Sequence, residues 1–235
     1  MRQSAFFQPP CSVALPDSDT SVMMMQFDTQ HYSPVLFAHC GIEMPEAIRG
    51  AVHKRQAEFL AGRNLAKKIL MSLGFMSTDI AVGNDRAPIW PQTVTGSISH
   101  TDNLAACAIS PQYSKHGGVG IDIESVIDVE KATEMEGVVF TEKERGRLPS
   151  DARDISWLMT LLFSAKESIF KALYPQVQCY FDFLDVTFLR MDAQWLYFEL
   201  NTRLADALVP GIQGKVYYAK VGEKVLTFTR SEYFI

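Results

Sequence analysis

The chain has 235 residues, of which 47% are hydrophobic and 21% charged, and its net charge is −5 at pH 7. This apolar content supports a substantial core, whereas the acidic balance argues against a general nucleic-acid-binding protein, which needs clustered Lys and Arg. There is no apolar run typical of a signal peptide or a membrane span, so we expect a cytoplasmic protein, with peripheral membrane association left open.

The first half of the chain predicts one long helix and two strands. It begins with an irregular arm (1–20) and a strand (Val22–Phe27), followed by a helix (Pro45–Ser72). A turn-rich stretch (83–91) and a buried strand (Leu104–Ile109) complete it. Within the third segment, apolar residues recur at roughly helical spacing with basic residues between them. Gly74 is expected to end this helix.

The second half predicts a strand, a helix ended by Pro175 and two hairpins. Their ranges are Val119–Glu124, Ile155–Leu173, Phe183–Met191 with Trp195–Leu200, and Gly214–Val221 with Val225–Arg230. Strand pairs outnumber helix crossovers here, which favours an α+β fold. Both halves show a long helix followed by apolar strands, although no residue-level repeat is visible.

Two carboxylates share one face of the strand Val119–Glu124. Because side chains alternate along a strand, Asp122 and Glu124 project from the face opposite Ile121 and Ile123. Neighbouring carboxylates repel each other unless a cation lies between them, and oxygen ligands suit Mg²⁺. The alternative is an ordinary exposed strand face.

A third carboxylate lies in the later helix, in the segment Phe163–Lys171. Glu167 and Lys171 are four residues apart and share a helix face, and Lys166 is about 100° round from Glu167. Glu167 can therefore complete a three-carboxylate metal site while the lysines meet phosphates. The alternative is a surface Glu–Lys pair.

Two further segments suit phosphate binding. Arg55 and Arg63 are eight residues apart on the long helix, roughly on one face, where two guanidinium groups can grip a phosphate. The small and hydroxylic segment 96–100 offers hydrogen-bond donors, among them Ser99 and His100. A nucleophilic serine is not expected, because the segment differs from the Gly-x-Ser-x-Gly elbow of hydrolases. The alternative for the arginines is a solvated basic face.

Together, these segments resemble the signature of the phosphopantetheinyl transferases. The family signature is carried by residues 120–124 together with Lys166-Glu167-Ser168 and Lys171. The segments 55–63, Trp90-Pro91 and 96–100 look like the bacterial siderophore branch of that family, typified by the enterobactin-synthase transferase. The motifs cover roughly residues 50–175 in family order. Residues 1–45 and 180–235 contribute nothing to the resemblance.

The resemblance implies a monomer of two similar α/β halves, 1–118 and 119–235, related by pseudo-two-fold symmetry with coenzyme A in the cleft between them. By similarity, Mg²⁺ is held against the pyrophosphate by Asp122, Glu124 and Glu167. The residues expected to contact coenzyme A are Arg55, Arg63, Ser99, His100, Lys166 and Lys171, with Arg86 as a weaker candidate.

The implied reaction moves the 4′-phosphopantetheine arm of coenzyme A onto a serine of an apo acyl, peptidyl or aryl carrier protein, for siderophore or other nonribosomal peptide synthesis. Glu167 or a metal-bound water is the general base. Lys171 and Mg²⁺ stabilise the departing 3′,5′-ADP. A metal-dependent phosphoesterase and a non-catalytic carrier-binding module remain as alternatives.

The segment that follows the carboxylate strand is expected to dock the carrier. Ser125–Leu148, named here the docking segment, begins beside Glu124 and contains more apolar residues than one short helix buries. Its basic residues Lys143, Arg145 and Arg147 can meet the acidic side chains of a carrier. The alternative is that the apolar residues pack inward and the charged residues form a solvated turn.

Overall fold

The computed structural model of the chain describes residues 3–16, 19–83, 86–112, 117–149 and 155–235. The chain divides into two compact units, Met1–Gln112 and Tyr113–Ile235. In each unit a long helix packs against one antiparallel sheet, which confirms the α+β prediction. The boundary at 118/119 and the pseudo-two-fold relation stay predictions.

The N-terminal unit has a four-stranded sheet of order β1-β2-β6-β5 and a separate two-stranded pair, β3-β4. Its helices are α1 (Gln3–Phe6), α2 (Val35–Cys40), α3 (Glu46–Arg49) and α4 (His53–Ser72). Its strands are β1 (Cys11–Ser12), β2 (Ser21–Gln26), β3 (Ala81–Val82), β4 (Pro88–Ile89), β5 (Val94–Thr101) and β6 (Leu104–Pro111).

The single helix predicted over Pro45–Ser72 is wrong, because α3 and α4 are separated by three residues. Val52 is extended, with φ −62° and ψ 152°, and α4 begins after it. The buried side-chain amide of Gln56 donates to the carbonyl oxygens of Ile48, Arg49 and Ala51 at 3.0–3.2 Å. These bonds satisfy carbonyls that the end of α3 leaves open, so the break is stabilised by a residue inside the next helix.

Strand β5 was not predicted as a strand. It pairs with β6 along its whole length, from Val94 opposite Pro111 to Thr101 opposite Leu104. Five of its eight residues are polar and one is glycine, so it lacks the apolar pattern of a buried strand, although it packs against α4,. A Cβ atom on Gly62 of α4 would lie 2.6 Å from Cγ2 of Ile98, so the glycine permits this close approach.

The C-terminal unit has a five-stranded antiparallel sheet of order β7-β11-β10-β9-β8. Its elements are β7 (Val119–Ser125), α5 (Val129–Glu134), α6 (Glu142–Gly146), α7 (Ile155–Val177), β8 (Val186–Met191), β9 (Trp195–Leu200), β10 (Gln213–Val221) and β11 (Lys224–Arg230). Both predicted hairpins are confirmed as antiparallel pairs.

Helix α7 does not end at Pro175 but runs to Val177. The next residue, Gln178, adopts the left-handed region with φ 53°, and its backbone N–H donates to the carbonyl oxygen of Tyr174 at 2.8 Å. This geometry is typical of a helix C-terminus. Proline is tolerated here because little of the helix follows it.

Helix α7 packs against β7, β10 and β11 at very short range along β7. A Cβ atom on Gly120 would lie 1.8 Å from the carbonyl oxygen of Ser168. The glycine therefore sets the distance between the strand with the paired carboxylates and the helix with Glu167. Within the described parts of the chain, no helix is both long enough and apolar enough to cross a bilayer.

Candidate active site

Asp122 lies on the face of β7 that packs against helix α7, and strand alternation puts Glu124 on the same face. Asp122 lies opposite Thr227 of β11, and the Thr227 hydroxyl contacts the hydroxyls of Ser164 and Ser168 on α7 at 2.9 and 2.7 Å. Asp122 is only 2% exposed. Packing of α7 thus places this carboxylate against the helix that contains Glu167.

Lys171 of α7 forms an ion pair with Asp122. Its Nζ donates to Asp122 Oδ1 at 2.7 Å and to the carbonyl oxygen of Ile121 at 3.3 Å. Burial lowers the pKa of Lys171, but the carboxylates of Asp122, Glu167 and Glu124 outweigh it and raise that pKa above its ordinary value. Lys171 is therefore protonated at neutral pH, and its positive charge interacts with all three carboxylates.

The pKa of Glu167 is raised by burial and by the Asp122 carboxylate, against the opposing effect of Lys171. A raised pKa makes the ionised carboxylate a stronger base than an ordinary glutamate. We call Asp122, Glu124, Glu167 and Lys171 the carboxylate cluster.

The donor chemistry of this cluster suits Mg²⁺, because its three acidic side chains offer only oxygen ligands. Among the residues that the structure describes, however, no group of three or more His, Cys, Asp and Glu side chains is gathered closely enough to hold a metal. Lys171 supplies positive charge directly to Asp122. The assignment of Asp122, Glu124 and Glu167 as metal ligands stays a prediction.

Lys166 lies in the interior of the C-terminal unit, where it is 2% exposed. Its Nζ contacts Glu144 Oε1 at 2.7 Å and donates to the carbonyl oxygens of Val139 and Phe183 at 2.8 and 3.0 Å. An ammonium group has three N–H donors, so these acceptors account for all of them. The expected contact between Lys166 and coenzyme A stays a prediction that this geometry does not favour.

The N-terminal unit contains a basic cavity of about 130 Å³. Its lining comes from α4, β5 and the region of β4: Arg55, Glu58, Phe59, Gly62, Arg63, Arg86, Pro88, Ile98 and His100. Four of the predicted coenzyme A contacts are therefore brought together. Arg55 Nη1 donates to His100 Nε2 at 2.6 Å, and Arg86 has a φ of 62°, a conformation that costs a non-glycine residue about 1–3 kcal/mol.

Ser99 does not line this cavity. It occupies the position of β5 between Ile98 and His100, which both line the cavity, and successive side chains of a strand point to opposite faces. Its role as a coenzyme A contact stays a prediction.

Arg63 is the most deeply buried basic residue of the cavity. It is 6% exposed, and within the described parts of the chain its Nη1 has no hydrogen-bond partner. The guanidinium lies 5.0 Å from the centre of the Phe59 ring. Burial lowers the pKa of Arg63 to about 10. A desolvated cation with an unsatisfied donor is suited to bind an anion.

Glu58 is the charged residue of this cavity for which the sequence predicts no role. Its Oε2 lies 3.7 Å from Arg55 Nη1 and 3.5 Å from His100 Nδ1. Burial raises its pKa, with Arg55 and Lys54 opposing the shift. The sequence signal for this contact is the spacing of three residues between Arg55 and Glu58, which puts them side by side on a helix. Glu58 orients two phosphate-binding candidates but also repels an anion when it is ionised.

Comparisons with known proteins agree with the family resemblance of the motifs. Residues 43–110 match the 4′-phosphopantetheinyl transferase N-terminal domain, and residues 118–216 match the 4′-phosphopantetheinyl transferase superfamily. Enterobactin synthase component D of Escherichia coli (strain K12) is 37% identical over 147 residues, which cover 63% of this chain and 68% of that protein.

Two other relatives extend the comparison. The enterobactin synthase component D of Salmonella typhi is 37% identical over 132 residues, and the match covers 56% of this chain and only 54% of that relative. The 4′-phosphopantetheinyl transferase Npt of Nocardia iowensis is 31% identical over 182 residues, or 70% of this chain and 72% of that protein.

Proposed function

Because the chain belongs to the 4′-phosphopantetheinyl transferase superfamily, as its motifs predicted, we propose that it transfers the 4′-phosphopantetheine arm of coenzyme A to a serine of an apo carrier protein. The product that leaves is 3′,5′-ADP. The observation that carries this proposal is the coupling of Asp122, Glu167 and Lys171 across β7 and α7. It combines a base and a cation beside the buried carboxylate of Asp122.

The reacting groups have distinct roles in this proposal. The serine oxygen of the carrier attacks the β-phosphorus of coenzyme A, the bond from that phosphorus to the bridging oxygen breaks, and the serine proton passes to Glu167. The raised pKa of Glu167 supports its role as the base,. Lys171 donates a hydrogen bond to the pyrophosphate and stabilises the negative charge on the departing 3′,5′-ADP.

We propose Mg²⁺ as the metal, held by Asp122, Glu124 and Glu167. When bound, it would add positive charge where charge builds up on the pyrophosphate. Binding requires the Lys171 ammonium to share or release Asp122, with which it is paired at 2.7 Å. Metal affinity should therefore rise when Lys171 is neutralised.

The basic cavity is the proposed site of the 3′-phosphate of coenzyme A. Arg63 supplies the buried, unsatisfied donor, and Arg55 and His100 are held beside each other by their 2.6 Å hydrogen bond. Because a phosphate offers several acceptor oxygens, it can satisfy Arg63 and accept from Arg55 together.

The partner is proposed to be an acyl, peptidyl or aryl carrier protein of siderophore or other nonribosomal peptide synthesis, and the site of action the cytoplasm. The relatives named enterobactin synthase component D support the pathway class. The nucleophile belongs to the carrier in this proposal, so no internal nucleophilic serine is required.

The test measures release of 3′,5′-ADP from coenzyme A by chromatography, with and without an apo carrier protein. Transfer predicts release only when coenzyme A, Mg²⁺ and the carrier are all present. Equal release without the carrier would identify a phosphoesterase instead. The Asp122→Asn and Glu167→Gln variants should lose turnover by orders of magnitude while remaining folded, and near-normal rates in either would contradict the assignment of the cluster.

A further inference from the structure

The buried pair Lys166–Glu144 connects the docking segment to the helix of the carboxylate cluster. Both side chains are 1% exposed, and their charged atoms are 2.7 Å apart. Lys166 directly precedes Glu167 on α7, whereas Glu144 belongs to α6. An ion pair this deeply buried contributes stability only when the remaining hydrogen-bonding positions of both groups are satisfied.

Both oxygens of Glu144 are satisfied. Oε1 accepts from Lys166 and from the backbone N–H of Phe188 at 2.8 Å. Oε2 accepts from the backbone N–H and the hydroxyl of Thr141 at 2.8 and 3.1 Å, which completes a capping box at the start of α6. One carboxylate thus joins α6, α7 and β8.

Lys166 extends the same network towards the surface. Its bond to the carbonyl oxygen of Val139 fixes a buried residue, at 4% exposure, whose neighbour Val138 is 61% exposed. A further bond, from the backbone N–H of Gly137 to the carbonyl oxygen of Phe140 at 2.8 Å, closes this turn. The exposed apolar tip is therefore held by a side chain adjacent to the proposed base.

We infer that Lys166 and Glu144 are positioning residues for the carrier protein, and that Lys166 does not contact coenzyme A. The inference rests on the proposed function. The pair fixes residues 137–144 against α7, so that a carrier seated on Val138 presents its serine to Glu167. Three acceptors already occupy the three N–H groups of Lys166, and none remains for a pyrophosphate.

The experiment compares Lys166→Met, Lys166→Met/Glu144→Gln and Lys171→Met with the wild-type protein, after carrier-dependent transfer by the wild type has been established. The measurements are the KM for an apo carrier protein, the Kd for coenzyme A and the melting temperature. The double variant removes both charges, so that no unpaired carboxylate is left buried.

Positioning predicts that the KM for the carrier rises by about tenfold in the Lys166 variants, the equivalent of a lost buried hydrogen bond, while the Kd for coenzyme A stays within about twofold of the wild type. Lys171→Met should instead weaken coenzyme A. Weaker coenzyme A binding in the Lys166 variants would overturn the inference. A lower melting temperature with unchanged kinetics per folded molecule would also overturn it.

A measurement on the wild-type protein covers the case in which these variants do not fold. Native lysines are acetylated briefly, with and without coenzyme A, and the modified positions are found by mass spectrometry. Lys166 should react far more slowly than the exposed Lys131, which is 70% exposed, with or without coenzyme A. Rapid labelling of Lys166 that coenzyme A prevents would refute the inference. If the wild type transfers nothing to a carrier, the proposed function itself fails, which the initial transfer assay shows independently.

Discussion

Replacement of Arg63 by methionine tests how the basic cavity recognises coenzyme A. The guanidinium is 6% exposed, and within the described chain its Nη1 lacks a hydrogen-bond partner, so a bound 3′-phosphate satisfies a donor that is already desolvated. A charge-assisted hydrogen bond contributes about 1.5–3 kcal/mol, which corresponds to a change of roughly 10- to 150-fold in Kd.

The same substitution should not destabilise the ligand-free protein. A buried cation without full hydrogen bonding carries a desolvation penalty, and methionine removes it with a side chain of similar length. We therefore expect an unchanged or higher melting temperature for Arg63→Met without ligand. In the wild type, burial lowers the pKa of Arg63 to about 10. The preference of the wild type for the 3′-phosphate should therefore decline as the pH rises through 10, because the guanidinium then loses its charge.

The assay is calorimetric titration with coenzyme A and with 3′-dephospho-coenzyme A, using Arg49→Met as the control. Arg49 lies in the same unit but is 66% exposed and paired with Glu46. Arg63→Met should lose most of the preference for coenzyme A, whereas the control keeps it. Equal losses of affinity for the two ligands would refute the reasoning.

Three further substitutions test Gly120 of β7, Glu58 of the basic cavity and Val138 of the docking segment. Gly120→Ala should destabilise the protein by about 1–3 kcal/mol and reduce transfer, because the added Cβ would meet the Ser168 carbonyl oxygen. The control, Gly146→Ala, adds a Cβ in open space and should leave the free energy of urea unfolding unchanged. Equal stability of the two variants would contradict this account. Because burial raises the pKa of Glu58, binding of 3′,5′-ADP should be accompanied by proton uptake on the acid side of neutrality, which calorimetry in two buffers measures. Glu58→Gln should abolish that uptake, and the same uptake in the variant would assign the proton to another group. Val138→Asp should raise the KM for the carrier but not that for coenzyme A, and unchanged carrier kinetics would place docking elsewhere.

Periodicity predicted which faces of β7 and α7 carry the residues of the carboxylate cluster, whereas their role as metal ligands stays a prediction. Alternation along β7 placed Asp122 and Glu124 on one face, and that face contacts α7 through Lys171. Helical spacing put Lys171 and Glu167 on one side of α7. Short-range periodicity was sufficient here because each carboxylate belongs to a regular element whose neighbours keep its direction.

Features that depend on tertiary contacts could not be predicted in this way. The role of Lys166 depends on Glu144, which is 22 positions earlier in the sequence and reaches it only through packing of α6 on β8. Strand β5 is polar in sequence and is stabilised as a strand by β6 and α4. The break before α4 depends on the side chain of Gln56, which periodicity treats as an ordinary helical position.

The docking segment, Ser125–Leu148, contains apolar residues that are buried and others that are exposed. The sequence predicts that its apolar residues contact a carrier. Val139 and Phe140 are instead buried in the core, while Val129 and Val138 are 57% and 61% exposed. Arg147, considered for contact with acidic carriers, donates to the carbonyl oxygen of Phe188 at 2.6 Å. Composition alone does not determine which members of such a segment reach the surface.

The most direct test of the proposed transfer is the intact mass of an apo carrier protein after incubation with this protein, coenzyme A and Mg²⁺. The account predicts a gain of one phosphopantetheine group, which is absent when the acceptor serine of the carrier is replaced by alanine and when Glu167→Gln replaces the wild type. A carrier of unchanged mass, while a known transferase modifies the same carrier in parallel, would contradict the account.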